Sequence, residues 1–523
     1  RHVHDLLRDG RVADWRPVVG DAGGVEKVFR GRLAGAGRDP DALLNEGQWL
    51  AWRGVFAEPL TLIWGPPGTG KTHTVAHILA SYALAARMEG RPLRILVTAF
   101  THHAIVNVLR KLAELAALYG IGAETLAVVK LVGSGNAADE ELPPSVERVA
   151  DESLEGHLRR EAPCVVAGAT VWSAYKAMKK SGGVSRPWFD VVLVDEASQM
   201  RLPDALVAFG ASRQHSNIIL AGDDMQLPPI IHGAYPEEHE HMLGSVFAFM
   251  RRRVEAADLA EPGVEARTIF QLEENFRMNE PLTAYPRAAL YRGRFRSTRR
   301  DIRISTDPQI EEASGELVDL LLHPGRPIVL CWYEPPRSFT ARNPVEAELV
   351  ALLADRLGRT LLREVKGEPP RHYTPEEFVR EGLAVLSPHR AQNSAIRQAL
   401  GRLGFGEEGR PMPLVDTVEK MQGKEREVIL VSYGVADEEY ATAEAQFLLS
   451  RNRFNVAATR AERKLVVVCS TAVLDAVPTD RRTLLDAMML KEFRQYCADG
   501  SAVLDWTAAG GDGVRLNVQW KGF

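Results

Sequence analysis

Eight consecutive residues, Gly65-Pro66-Pro67-Gly68-Thr69-Gly70-Lys71-Thr72, constrain this chain more than any other stretch. They fit the pattern GxxxxGKT. An apolar run, Thr61–Trp64, comes before them, and a helical stretch from about Lys71 to Met88 comes after. Strand, glycine-rich loop and helix in that order make a phosphate cradle. The glycines let backbone N–H groups turn inward, and the helix N-terminus adds a favourable dipole. In such a loop Lys71 reaches the outer phosphates of ATP and the Thr72 hydroxyl ligates Mg²⁺.

A cradle of this kind needs a parallel sheet to seat it, and the flanking sequence supplies one. Arg94–Thr98, Cys164–Ala167, Val191–Val194 and Ile218–Ala221 are short apolar runs separated by helical stretches. A second series follows at Ile328–Trp332, Leu383–Leu386, Val428–Val431 and Leu465–Val468, with an amphipathic stretch at Pro344–Leu357. This alternation describes α/β domains whose parallel sheets are covered on both faces. A length of 523 residues calls for at least two of them.

The segment VVLVDEASQ puts Asp195 and Glu196 at the end of an apolar strand, the edge where α/β sheets place their ligands. Two adjacent carboxylates after a phosphate loop suit a division of labour. Asp195 holds the magnesium through water, and Glu196 orients and deprotonates the attacking water.

Composition sets outer limits. A net charge of −5 argues against a protein that coats nucleic acid along its whole surface, but leaves room for a local basic channel. Cys164, Cys331, Cys469 and Cys497 lie far apart without a CxxC pair, which argues against a zinc module or a disulfide-stapled fold. No apolar run has membrane-spanning length and no signal-peptide pattern opens the chain, so a cytoplasmic setting without a membrane partner is expected. The chain starts at Arg1 rather than Met, so residues upstream are expected to be missing, or the chain to be a piece of something larger.

Nine segments then occur in a fixed order: LNEGQWLAW (Leu44–Trp52), the phosphate loop, VTAFTHHA (Val97–Ala104), VDEASQ, LAGDDMQLPP (Leu220–Pro229), ENFRMNEPL (Glu274–Leu282), VLSPHRAQ (Val385–Gln392), VDTVEKMQGKEREVILVS (Val415–Ser432) and RFNVAATRAERKL (Arg453–Leu465). This series resembles superfamily 1 helicases. More narrowly, it is similar to the branch holding the nonsense-mediated-decay helicase and the helicase half of the Okazaki-fragment nuclease-helicase. The likeness spans about Leu44 to Ser470.

The resemblance implies two RecA-like P-loop domains in tandem, with the ATP site in the cleft between them. The expected organisation is an N-terminal segment 1–43, a first domain 44–291 with a short insertion near 119–161, a basic connector 292–326, a second domain 327–475 and a C-terminal segment 476–523. It further implies that Gln48 reads the adenine edge and that Asp223 and Gln226 sense the γ-phosphate and the water. Arg277 and Arg460 become arginine fingers, Phe276 stacks on the base, and Gly423 and Glu425 face the ribose and phosphates. A guanidinium at the γ-phosphate stabilises charge that develops during transfer, so closing two domains to deliver it makes ATP a conformational switch. Thr101, Thr170, His389 and Thr417 are the implied contacts to single-stranded nucleic acid, where hydroxyl and backbone donors to phosphate suit a motor that ignores sequence. As plain residues, those threonines have a lesser reading as caps or turns.

Other clusters have simpler readings. Arg292, Arg294, Arg296, Arg299, Arg300 and Arg303 either line a phosphate path or solvate a linker, and the linker is the simpler assignment. Arg251–Arg253 read as a charged helix face. Glu237-Glu238-His239-Glu240-His241 read as a loop without further ligands at metal-binding spacing. No nuclease pattern is present, so any cleavage belongs to another domain or partner subunit. Only about forty residues precede Leu44, where several relatives carry a β-barrel module. The expected activity is an ATP-dependent helicase or translocase moving 5′ to 3′ on DNA. The same motor on RNA, and a nucleotide-gated clamp that does not unwind, are the alternatives.

Overall fold

The computed structural model describes residues 15–132, 142–180, 187–230, 242–260, 268–291, 293–307, 316–365 and 367–523. Its contacts divide the chain into two compact units, Arg1–Asp224 with Pro228–Glu273, and Met225–Leu227 with Glu274–Phe523.

The first unit is built on eight strands: β1 (Leu60–Trp64), β2 (Leu93–Thr98), β3 (Leu126–Leu131), β4 (Val146–Val149), β5 (Cys164–Gly168), β6 (Phe189–Val194), β7 (Ser212–Gly222) and β8 (Ile269–Gln271). They pair in the order β4-β3-β5-β2-β6-β7-β1-β8, and every pairing is parallel. Helices cover both faces, so β1, β2, β5 and β6 are buried at every position. That is why they read as unbroken apolar runs rather than alternating ones.

Two segments that carried little sequence signal belong to this unit. Helix Ala22–Gly35 starts at an Asp21 cap and buries Val25, Phe29 and Leu33. Phe29 stacks on Trp52 with ring centroids 6.2 Å apart and meets Trp49 edge-on. Each such fully buried side chain contributes about 1.5–3 kcal/mol, so the segment before Leu44 is part of the core. The expected insertion near 119–161 supplies β3 and β4, which extend the sheet at one end.

The second unit carries a seven-stranded sheet: β9 (Ile328–Tyr333), β10 (Leu383–Leu386), β11 (Leu414–Asp416), β12 (Arg426–Ser432), β13 (Ala461–Ser470), β14 (Gly500–Thr507) and β15 (Gly513–Lys521). The order is β11-β10-β12-β13-β9-β15-β14. The first five are parallel to one another, as expected of a RecA-like sheet. The C-terminal hairpin joins them antiparallel, so this sheet is mixed where a parallel one was expected. Strand β14 alternates between half-buried and exposed positions, a pattern too polar to stand out in sequence.

Residues 274–291 also fall in the second unit rather than the first. Tyr285, on helix Glu280–Ala289, packs against Phe454, Phe493 and Tyr496 and donates its hydroxyl to Met489 O at 2.7 Å. The expected connector is likewise built in: helix Glu316–Leu322 buries Leu317, Val318, Leu321 and Leu322 in that unit's core. Within the basic cluster Arg299 faces Glu462 at 3.5 Å and Arg303 lies over the Phe523 ring. Arg292 and the Glu237–His241 stretch lie outside the described residues.

Candidate active site

Because all eight strands of the first unit run parallel, every loop leaving a strand's carboxyl end emerges at one edge. The phosphate loop follows β1, Asp195 and Glu196 follow β6, and Asp223 follows β7, three neighbouring strands. The loop turns on Gly68 and Gly70, each at φ 76°, a left-handed conformation that glycine adopts without a Cβ clash. Thr69 closes it, its hydroxyl donating to Pro66 O at 2.7 Å, and the Gly65 N–H is held by Gly222 O at 3.0 Å. Pro67 is buried beside them, and Thr72, in the first turn of helix Lys71–Glu89, stays half-exposed.

Lys71 is buried with its ammonium 3.2 Å from Glu196 Oε1 and 4.0 Å from Asp195 Oδ1. Burial works against its charge, but Glu196, Asp195 and Asp223 together hold it above the usual lysine value. Burial pushes the Asp195 carboxyl up, with Lys71 opposing. Glu196 stands at φ 48°, a conformation that costs a side-chain-bearing residue about 1–3 kcal/mol and concentrates at functional sites. Its Oε2 is buried and has no hydrogen-bond partner among the described residues. A carboxylate oxygen left unspent beside a phosphate loop is what a general base requires. The Thr72 hydroxyl and the Asp195 carboxylate are a hard-oxygen pair suited to magnesium.

Gln48 is buried against this loop. Its Oε1 accepts from Asn45 N at 3.0 Å and its Nε2 donates to Thr69 O at 3.1 Å, so the amide both caps its own helix and braces the cradle. Asp223 accepts from Trp64 Nε1 at 3.0 Å. Sequence reasoning missed this partner, because Trp64 read only as the end of an apolar strand. It also misjudged Arg251. Rather than lying on a charged helix face, Arg251 is buried, pairs with Asp224 at 2.7 Å and lies over the Trp64 ring.

In the second unit the remaining candidates form two groups. Arg460 Nη2 donates to Gln226 Oε1 at 3.2 Å, and Arg460 is itself buried. The segment carrying Gln226 is held by Asn455, which donates to Met225 O at 2.8 Å, and by Asn452, which donates to Gln226 O. Neither asparagine was marked by sequence. Arg277 is ion-paired with Glu425 and donates to Thr459 O at 3.0 Å, so two residues assigned separate roles are brought together. Phe276 beside it is exposed, and Gly423 turns at φ 75°. Gly423 and Glu425 precede β12 and Arg460 precedes β13, which sets this group at the amino edge of the sheet.

The strand-contact candidates sort to carboxyl edges. Thr101 and Thr170 follow neighbouring strands β2 and β5, and both serve as helix caps. Thr101 accepts from Ala104 N at 3.2 Å, and Thr170 accepts from Ser173 N at 3.3 Å. His389 and Thr417 follow neighbouring strands β10 and β11, opposite the amino edge that carries Arg460. Burial lowers the His389 pKa. Among the described residues no group of three or more His, Cys, Asp or Glu side chains is placed to hold a metal, and no helix is long and apolar enough to cross a membrane.

A phosphate loop with paired carboxylates on a parallel sheet, followed by a second RecA-like sheet presenting arginines, defines the class: a two-unit P-loop ATPase of helicase type. Two family models, each described as an AAA domain, match residues 48–232 and 252–472. The chain is 26% identical over 449 residues to a DNA replication ATP-dependent helicase/nuclease of Arabidopsis thaliana, covering 84% of this chain and 29% of that protein. It is 25% identical to the protein of that name in Mus musculus, covering 83% and 38%. It is 22% identical to the DNA polymerase alpha-associated DNA helicase A of Saccharomyces cerevisiae, covering 88% and 68%. In both matched domains and in these relatives the chain is similar to helicases, in keeping with its resemblance to superfamily 1. It spans well under half the length of the two helicase/nuclease relatives. Among solved structures, an arterivirus nonstructural protein 10 helicase in complex with DNA aligns at a TM-score of 0.37 and 13% identity, over 87% of this chain and 67% of that one, a likeness too low to carry an argument.

Proposed function

We propose that this chain is an ATP-hydrolysing motor that grips single-stranded nucleic acid, DNA in preference to RNA, and moves along it 5′ to 3′. The observation that carries this reading is the seat of Lys71 at the phosphate loop, 3.2 Å from a half-buried Glu196 whose buried second oxygen is unspent among the described residues. Lys71 neutralises the outer phosphates, and Glu196 takes the proton of the attacking water. Thr72 and Asp195 would hold Mg²⁺, which would supply charge neutralisation across the transferring phosphate. Arg460 and Arg277 serve as arginine fingers, with Gln226 and Asp223 sensing the γ-phosphate, so that hydrolysis is coupled to domain closure. Gln48 and Phe276 face the base, and Gly423 and Glu425 the ribose and phosphates. Thr101, Thr170, His389 and Thr417 contact the strand. The relatives, a DNA replication helicase/nuclease and a polymerase-associated DNA helicase, favour DNA. Cleavage, where it accompanies this motor, comes from another domain or partner subunit. The cytoplasmic setting stands as part of the same reading.

The test is steady-state ATP hydrolysis by the purified chain, alone and with matched single-stranded DNA or RNA. Stimulation by DNA above RNA is expected. ATP hydrolysis unchanged by either strand would remove the motor and leave a clamp. Polarity is read from displacement of streptavidin, which a 5′-to-3′ motor strips from the 3′ end of a biotinylated strand.

A further inference from the structure

We propose that the second unit holds a pocket for a single unstacked nucleobase at the carboxyl edge of β10 and β12, resting on the reading of the chain as a single-strand motor. Ser387 and Pro388 leave β10, Tyr433 follows β12, and Val418 comes from the turn after β11. Phe447 and Phe454, from helices Ala445–Leu448 and Arg451–Ala458, close the pocket. Its walls are mainly apolar.

Two polar groups in that lining are unspent. Ser387 is 2% exposed, and its hydroxyl has no hydrogen-bond partner among the described residues. The Nε of Arg453, another lining residue, is buried and lacks one as well. A buried hydroxyl and a buried N–H each give up their hydrogen bonds to water and recover them only when a partner arrives. Arg453 is not loose: it pairs with Glu419 at 3.0 Å and its guanidinium lies 4.2 Å from the centroid of the Phe447 ring. That stack continues to His389, whose ring is 5.7 Å from Phe447 and 5.9 Å from Tyr440.

Mainly apolar walls, with one N–H donor and one hydroxyl in the lining residues, fit a planar heteroaromatic ring. Every nucleobase offers an acceptor to the Arg453 Nε–H, and the Ser387 hydroxyl either donates or accepts, so the pocket takes any base. This is the chemistry a sequence-blind motor needs, since base–aromatic stacking tolerates every base. The bordering loops carry His389 and Thr417, the residues proposed to meet the same strand. A base seated here pins the strand to the second unit by one nucleotide.

The test is an abasic scan with the 523-residue chain, without nucleotide, on an oligothymidine of about ten nucleotides. Replacing the base at one position should weaken binding about tenfold, and neighbouring positions should change little. In Phe447→Ala, and in the smaller change Ser387→Ala should the first fail to fold, that position-specific loss should shrink toward the background. A flat scan on a strand that binds well overturns the pocket and leaves the motor standing. A loss that persists undiminished in the folded variants places the base elsewhere and overturns this assignment. No binding of the intact strand by the unaltered chain overturns the motor reading, and the pocket with it.

Discussion

Glu196 reaches Lys71 from a left-handed backbone: its Oε1 lies 3.2 Å from the lysine ammonium while its φ is 48°. One oxygen is thereby committed to the cation, and the other is buried without a hydrogen-bond partner among the described residues. Asp195, its neighbour, sits 4.0 Å from the same ammonium and accepts the Glu196 N–H at 2.9 Å.

Replacing Glu196 by Gln keeps the side chain's shape but removes the base. ATP turnover should fall by about 10²–10⁴-fold, with nucleotide binding within a few-fold of the unaltered chain. Lys71→Ala should abolish turnover. Both are read by steady-state hydrolysis beside a nucleotide-binding titration. Unaltered turnover in Glu196→Gln would assign the base to a different residue.

Arg460 and Gln226 should behave as one device, since the guanidinium donates to the amide oxygen at 3.2 Å. Arg460→Ala should slow single-turnover hydrolysis by about 10³-fold while nucleotide binding persists. Gln226→Ala should cost less, and the double variant should fall short of the product of the two effects. Full additivity would show that the pair acts independently.

Arg251→Ala should destabilise the first unit by about 3–5 kcal/mol, because it removes the guanidinium that pairs at 2.7 Å with the Asp224 carboxylate. Burial already pushes that carboxyl up to about 6, against the pull of Arg251. A raised carboxyl favours the fold when protonated, so the loss should be greater at pH 8 than at pH 5. Urea unfolding at the two values checks it. An equal loss at both would mean that Arg251 acts through its stacking on Trp64 alone.

Glu346 makes a sharper pH prediction. Its Oε2 accepts from Ser432 Oγ at 2.7 Å and Gly434 N at 2.8 Å, while burial raises its pKa from 4.5 to about 7. The stability this group contributes is fully present below about pH 4.5 and is lost as pH rises through about 7. Glu346→Gln removes the titration, so its stability relative to the unaltered chain should improve from pH 5 to about pH 7 and level off above it in urea unfolding. A constant difference would show that Glu346 does not titrate in that window.

Legibility in sequence followed the physics of each element. The runs at Thr61–Trp64, Val191–Val194 and Leu383–Leu386 were readable because strands buried on both faces carry uninterrupted apolar side chains. The hairpin 500–521 was not, because β14 is half-exposed and its residues alternate without a strong apolar face. Helix Ala22–Gly35 escaped notice because its buried contribution is three residues, Val25, Phe29 and Leu33. Gln48, Asp223 and Arg460 were nominated by motif register alone. Trp64 and Asn452 had no motif to mark them, and Asn455 lay inside one without being singled out, although each holds a nominated residue or its segment in place.

The sequence by itself determined the phosphate loop, the carboxylate pair after β6 and the alternation that builds two sheets. These depend on local backbone geometry and on side chains within a few residues of one another. Only the tertiary structure decided that Glu196 spends one oxygen on Lys71 and keeps the other, that Arg277 pairs with Glu425, and that Arg251 is buried on Trp64. Those partners lie about 125, 148 and 187 residues apart in the chain. Whether a charged side chain is solvated or paired is settled by what packing brings beside it, and residue type alone carries no record of that.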